Sequence, residues 1–243
     1  MLLLANGCSH TAGAEIEETM QDKCYEKAWP RHLADKLNCE YINLAVSGAS
    51  NHRVIRTTMD FIGQRILNKQ SLQDIFAVIC WPGAYRTELY IEEQSGEYNN
   101  NIYGWQPLVV GNNHIYKNFR RDVYNYYKYW AMTYTYEQAL TQYVMDIITL
   151  QNYFTTFQIP YLFWRASNTR LDISSTFSSY IVQVNRKRFP SAVKPKSDYT
   201  SLLEYYGCKP SPYTAYNHFG EDGHIKFSEL LFEYIQEKEL LNC

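Results

Sequence analysis

The sequence predicts an α/β protein whose parallel sheet is covered by helices on both faces. Short, wholly apolar runs such as residues 75–80 (IFAVIC) have the unbroken hydrophobicity of strands buried on two sides. Segments with apolar residues three and four apart lie between those runs, so strand and helix signals alternate. The chain has 243 residues, 46% of them hydrophobic and 20% charged, enough for one large domain with a real core.

The first strand is read at residues 2–5. A helix follows over 26–37, with Trp29, Leu33 and Leu37 on one face and Pro30 in the first turn, where a missing N–H costs nothing. Residues 41–45 form the second strand. Residues 51–67 form a helix whose apolar side carries Ile55, Met59, Ile62 and Ile66. The third strand is 75–80. The strongest helix spans 137–157, with Leu140, Val144, Ile147 and Phe154 on its stripe. Residues 161–164 supply a fourth strand and 223–240 the closing helix. Residues 85–135 break the rhythm: they are rich in Tyr, Trp, Asn and Arg and read as an insertion after strand three. Residues 168–216, with the basic run Arg186-Lys187-Arg188, read as a long irregular excursion. With no repeat or linker, residues 1–243 are taken as one domain.

Bulk properties exclude several functions. A net charge of −2 argues against nucleic-acid binding driven by phosphate neutralisation. No apolar stretch approaches the roughly 18 residues of a membrane span. The opening Met-Leu-Leu-Leu-Ala lacks a basic leader and reads as a buried strand, which predicts a cytoplasmic protein. The six cysteines have no CxxC spacing, so neither a zinc site nor any other metal or cofactor is expected, and reduced thiols are. The 23 tyrosines suit sugar-stacking surfaces and protein interfaces alike.

Two segments carry the chemistry: NGCSHTAG at 6–13 and NHFGEDGH at 217–224. Ser9 sits in a Gly-flanked turn after strand one, and His218 arrives from the far end of the chain just before the closing helix. A hydroxyl and an imidazole are the minimum parts of a nucleophile with its base. In open parallel sheets ligands bind beyond the carboxyl ends of the strands. The strand ends here are 7–9, 45–50 (AVSGAS), 81–86 (WPGAYR) and 165–168, which brings all four unusual segments to one edge.

These residues resemble the SGNH (GDSL-like) hydrolase family. Gly7-Cys8-Ser9 with Thr11 and Gly13 is similar to the family's first block, Asn43 to Ser50 (NLAVSGAS) to its second, and His218 to His224 (HFGEDGH) to its last. AWPRHLADKL at 28–37 resembles the family's first helix, while 85–135 and 168–212 stay uncovered. The resemblance implies a flavodoxin-like three-layer α/β/α sandwich and serine-dependent hydrolysis of esters on an acylated small molecule or glycan. It implies Ser9 as nucleophile, His218 as base, and the N–H groups of Ser9 and Gly48 as oxyanion donors. The GCSxTxG form resembles proteins often encoded by tailed phages, which would make a virion the alternative location.

The chain departs from the family pattern at three places. Cys8 stands where the family has Asp. The third-block Asn has no counterpart in WPGAYR; a backbone N–H of Gly83 or Ala84, or the side chains of Asn51 or Asn168, are the substitutes considered. The acid expected three residues before the histidine is Ala215, and Tyr213, Tyr216 and Asn217 carry no charge. The expectation is therefore a Ser9–His218 dyad, its imidazole oriented by a backbone carbonyl. Binding without catalysis, as a degenerate structural subunit, is the competing reading, and a carbohydrate-binding module a third.

Plainer roles are weighed for each residue. Ser9 could cap a helix, and Gly48 could serve only a tight turn. His10 reads as a pocket wall, and His224 as a packing or capping residue. Arg86 and Glu88 read first as a structural ion pair and second as the pocket mouth. Arg165 is ambiguous. The band Tyr98, Tyr103, Trp105, Tyr116, Tyr124, Tyr126, Tyr127, Tyr129 and Trp130 is read as an exposed aromatic surface for glycan or protein.

Overall fold

The structure, a computed structural model, describes residues 1–18, 23–91, 104–110, 121–167, 180, 182–191, 197–214 and 218–241. Along them run strands β1 (Leu2–Gly7), β2 (Glu40–Asn43), β3 (Ile75–Trp81), β4 (Arg86–Ile91), β5 (Gly104–Val109) and β6 (Tyr161–Arg165). The helices are α1 (Ser9–Ala12), α2 (Trp29–Leu37), α3 (Asn51–Leu67), α4 (Arg121–Thr133), α5 (Tyr136–Thr156), α6 (Tyr199–Tyr205) and α7 (Glu221–Glu237). Four strands form a parallel sheet in the order β2-β1-β3-β6. This is a flavodoxin-type three-layer α/β/α arrangement, in which the winding direction reverses between β1 and β3.

Successive side chains along each strand point to opposite faces, and the core divides accordingly. Leu4, Ala77, Ile79 and Phe163 pack under α3 and α5 with Val54, Ile62, Ile147 and Phe154. Leu3, Ala5, Phe76, Val78 and Leu162 pack on the other face under α2 and α7, with Trp29, Leu33, Phe227 and Leu231. Complete burial of each large apolar side chain contributes about 1.5–3 kcal/mol, which makes this double layer the rigid base of the molecule. Helix starts are built locally. Ser50 accepts the Arg53 N–H at the head of α3, and Thr135 and Gln138 cap α5 reciprocally.

Observed elements differ from the expected ones at informative places. The first strand runs on to Gly7, because Asn6 and Gly7 still have β3 partners in Ile79 and Cys80. The second strand stops at Asn43, whose side chain accepts the Ala45 N–H and donates to the Thr11 carbonyl. The aromatic insertion is more regular than expected. It holds the antiparallel hairpin β4–β5 and helix α4, packed together through Leu108, Tyr127 and Trp130. Tyr127 and Trp130 are buried there, whereas Trp105, Tyr126 and Tyr129 are exposed, so the band divides between core and surface. Tyr98, Tyr103 and Tyr116 lie outside the described residues. The expected irregular excursion contains α6. Among the described residues no helix is long and apolar enough to cross a membrane.

Candidate active site

The end of β1 is held from beneath. The Asn6 side chain, fully buried, donates to the Val54 carbonyl and the Thr57 and Thr58 hydroxyls of α3, and its oxygen accepts the Gly7 N–H at 2.8 Å. The chain then turns into α1, whose first residue is Ser9. Gly13 ends that helix at φ 73°, where a Cβ would lie 2.6 Å from the Cys24 carbonyl oxygen, so only glycine fits. Two residues later Glu15 also adopts a left-handed conformation, φ 59°. A non-glycine residue there is uncommon, and such backbone tends to gather at functional sites.

That reversal directs Glu15 back toward the loop before α7. Glu15 Oε2 accepts from His218 Nδ1 at 2.6 Å and from the Thr214 hydroxyl at 2.5 Å. A carboxylate only accepts, so the His218 proton is on Nδ1 and Nε2 is free to receive another. Nε2 lies 2.7 Å from Ser9 Oγ. Ser9 and His218 are each 7% exposed and Glu15 5%. The histidine loop is clasped around the same turn. Ser211 Oγ donates to the Glu15 carbonyl, Ser211 N–H to the His218 carbonyl, and His218 N–H to the Thr214 oxygen. The expectation of an acid-free dyad is thereby corrected. The group on the imidazole is a carboxylate, supplied six residues after the serine rather than three before the histidine. Ala215, Tyr216 and Asn217 lie outside the described residues.

Gly48 lies in the loop after β2 at φ 74°, with its nearest neighbour, Pro107, 3.6 Å from where a Cβ would stand. Backbone conformation, not crowding, requires glycine there. The N–H groups of Ser9 and Gly48 have no acceptor among the described residues. Asn51 is buried and donates to the Gly83 carbonyl at 3.3 Å, so these two residues join α3 to the loop after β3. Asn168 lies outside the described residues.

The expected Arg86–Glu88 ion pair does not form. Arg56 takes both Glu88 oxygens at 2.8 and 2.9 Å, and Arg86 instead donates to the Ala49 carbonyl at 3.3 Å. His10 packs 4.8 Å from the His218 ring and 5.0 Å from Tyr199, as a wall beside the base. Burial, then the charges of His218, Arg86 and His224, hold its pKa well below the usual histidine value. His224 is buried in the first turn of α7, accepting the Trp29 N–H on Nδ1 at 3.1 Å with Nε2 3.3 Å from the Tyr199 hydroxyl. Burial, then His32 and His218, push it down to about 3. Arg165 is buried at the end of β6, where desolvation lowers its pKa. Among the described residues no group of three His, Cys, Asp or Glu side chains could hold a metal ion.

Glu15, Asn6, Ser211 and Thr214 escaped sequence reading. The signal available for Glu15 was weak, because it is the first of three acids in the run Glu15-Ile16-Glu17-Glu18 and only its apolar neighbours Ala14 and Ile16 set it apart.

A family described as a family of unknown function (DUF6071) matches residues 14–192. The chain belongs to that family. The matched stretch contains Glu15, Gly48, Asn51 and Arg86. No curated protein matches the sequence. Among solved structures, a carbohydrate esterase, described as having an active site with divergent catalytic and non-catalytic binding functions, superposes with a TM-score of 0.51 at 13% identity, over 99% of this chain and 69% of that one. An acetyl xylan esterase from the rumen bacterium Butyrivibrio proteoclasticus gives 0.50 at 10% identity, over 99% and 64%. At such identities the likeness concerns the fold alone, the three-layer α/β/α sandwich with a parallel central sheet.

Proposed function

We propose that the protein is a serine esterase working through Ser9, His218 and Glu15. The observation that carries this reading is the continuous chain from Ser9 Oγ to His218 Nε2 at 2.7 Å and from Nδ1 to Glu15 at 2.6 Å. Ser9 Oγ attacks the acyl carbon while its proton passes to Nε2. The N–H groups of Ser9 and Gly48 receive the oxyanion, and the Glu15 carboxylate stabilises the imidazolium. The proton then leaves with the departing alcohol, and water, deprotonated by the same imidazole, releases the acid and restores Ser9.

O-acetylated carbohydrate is the substrate class to test first. The support is the exposed pair Tyr90 and Trp105, 5.3 Å apart on the hairpin whose Pro107 adjoins Gly48. The two rings meet edge to face at 62°, with Arg56 4.4 Å over Trp105, and such an aromatic corner offers a sugar both apolar ring area and polar tips. Hydrolysis of p-nitrophenyl acetate and labelling by a fluorophosphonate, in wild type and Ser9→Ala, test the chemistry. Turnover and stoichiometric labelling should both vanish in the variant. Equal rates in the two proteins would reject the mechanism.

A further inference from the structure

The geometry points to Arg86 as a specificity residue that receives a negatively charged group, a carboxylate or its equivalent, on the ester bound at Ser9. This rests on the esterase reading and adds to it the charge of the substrate. Arg86 opens β4, and the one hydrogen bond its side chain makes among the described residues is the 3.3 Å contact with the Ala49 carbonyl, next in chain to Gly48. Its charge is also among those that depress His10, the neighbour of Ser9. A guanidinium has five N–H donors in a planar fork suited to bidentate anion recognition, and this one commits a single donor to protein.

Among the described residues the surrounding charges leave that fork without a competitor. Glu88, two positions along the same strand face, is held by both Arg56 nitrogens and its side chain is only 3% exposed. Glu15 is occupied by His218 and Thr214. Arg53 adds a second guanidinium, donating to the Leu44 carbonyl at the start of the Gly48 loop. The first turn of α3, which follows that loop, carries no acid. A chain of net charge −2 thus docks two arginines onto one six-residue loop, with no carboxylate pairing either among the described residues. An anion bound there gains charge-assisted bonds without displacing an internal partner.

Two anionic esters and a neutral one test this. Phenyl acetate is the reference, 4-acetoxybenzoate carries its carboxylate on the alcohol side, and monophenyl succinate on the acyl side. At low salt one of the anionic esters should exceed phenyl acetate in kcat/KM by ~10- to 100-fold, the worth of a hydrogen bond to a charged group. Arg86→Gln should bring that ratio to near one, Arg86→Lys should retain part of it, and rising salt should shrink it in wild type. Ratios near one for both anionic esters in wild type, or an unchanged ratio in Arg86→Gln, would overturn the assignment. Calorimetric binding of the same esters to Ser9→Ala separates the two layers of the argument. Charge preference there that Arg86→Gln removes, with no turnover in wild type, supports Arg86 and defeats the esterase reading. Turnover with no charge preference does the reverse.

Discussion

His218 and His224 stand six residues apart, on either side of the start of α7, and do opposite things. His218 meets a carboxylate on one nitrogen and a hydroxyl on the other. His224 receives a backbone N–H on Nδ1 and packs against Tyr199 and the helix-side core. A carboxylate partner prepares an imidazole to hold a proton, whereas an N–H donor with full burial keeps it neutral. The difference teaches that partner chemistry, not position in the motif, assigns the histidine's role. The loop serves reaction; the helix turn serves stability.

Breaking each side in turn should separate those roles. His218→Ala should lower kcat on p-nitrophenyl acetate by up to about 10⁶-fold, as loss of a catalytic histidine does elsewhere. His224→Ala strands the Trp29 N–H in the core and should cost about 1–3 kcal/mol of stability, read as a fall in Tm, while kcat stays within tenfold at pH 7. A large kcat loss in His224→Ala with an unchanged Tm would reverse the comparison. Glu15→Gln comes next. The amide fills the same volume but no longer fixes the proton on Nδ1, and kcat should fall by about 10⁴-fold, the loss seen when the orienting carboxylate of a triad becomes an amide. An unaltered kcat would return His218 to the expected dyad.

Thr214→Val sharpens the loop side further. The hydroxyl both donates to Glu15 and accepts from the His218 N–H, so it couples acid and base in one clasp. Losing a bond to a charged group costs about 1.5–3 kcal/mol, which predicts a ~10- to 100-fold drop in kcat with KM little changed. Serine at this position should recover most of it, because it restores the hydroxyl.

The frame was legible because its strands are unbroken apolar runs and its helices keep one clean stripe; α3 is read at residues 51–67 and observed there. Ser9 and Gly48 were legible because each lies in a short Gly-bearing turn at a strand end. Glu15 was not, because its meeting with His218 depends on a left-handed turn and a hydroxyl clasp between segments some two hundred residues apart. The insertion hid its helix for a different reason. Val123, Tyr127 and Trp130 have helical spacing, yet the exposed Tyr126 and Tyr129 between them blur it. Hydrophobic periodicity fails where the solvent face is aromatic too.

Acidification gives the finest test of the part His224 plays in the fold. The folded-state pKa of His224 is about 3, below the ordinary value of 6.5, so between those limits the unfolded chain takes up a proton that the fold excludes. Stability from this residue is therefore complete above pH 6.5 and declines as pH falls toward 3, by about 1.4 kcal/mol per unit. Asp146 works in the opposite direction, since burial raises its carboxyl to about 6 and protonation favours the fold. His10, also depressed by burial, adds to the His224 slope, so wild type alone blends several contributions and a difference measurement isolates one. His224→Gln keeps a carbonyl oxygen for the Trp29 N–H but cannot titrate, so wild-type Tm should fall more steeply than the variant's between pH 7 and 5.5. Parallel curves would mean that His224 shares the protonation behaviour of an exposed histidine, and the contrast with His218 would then rest on geometry alone.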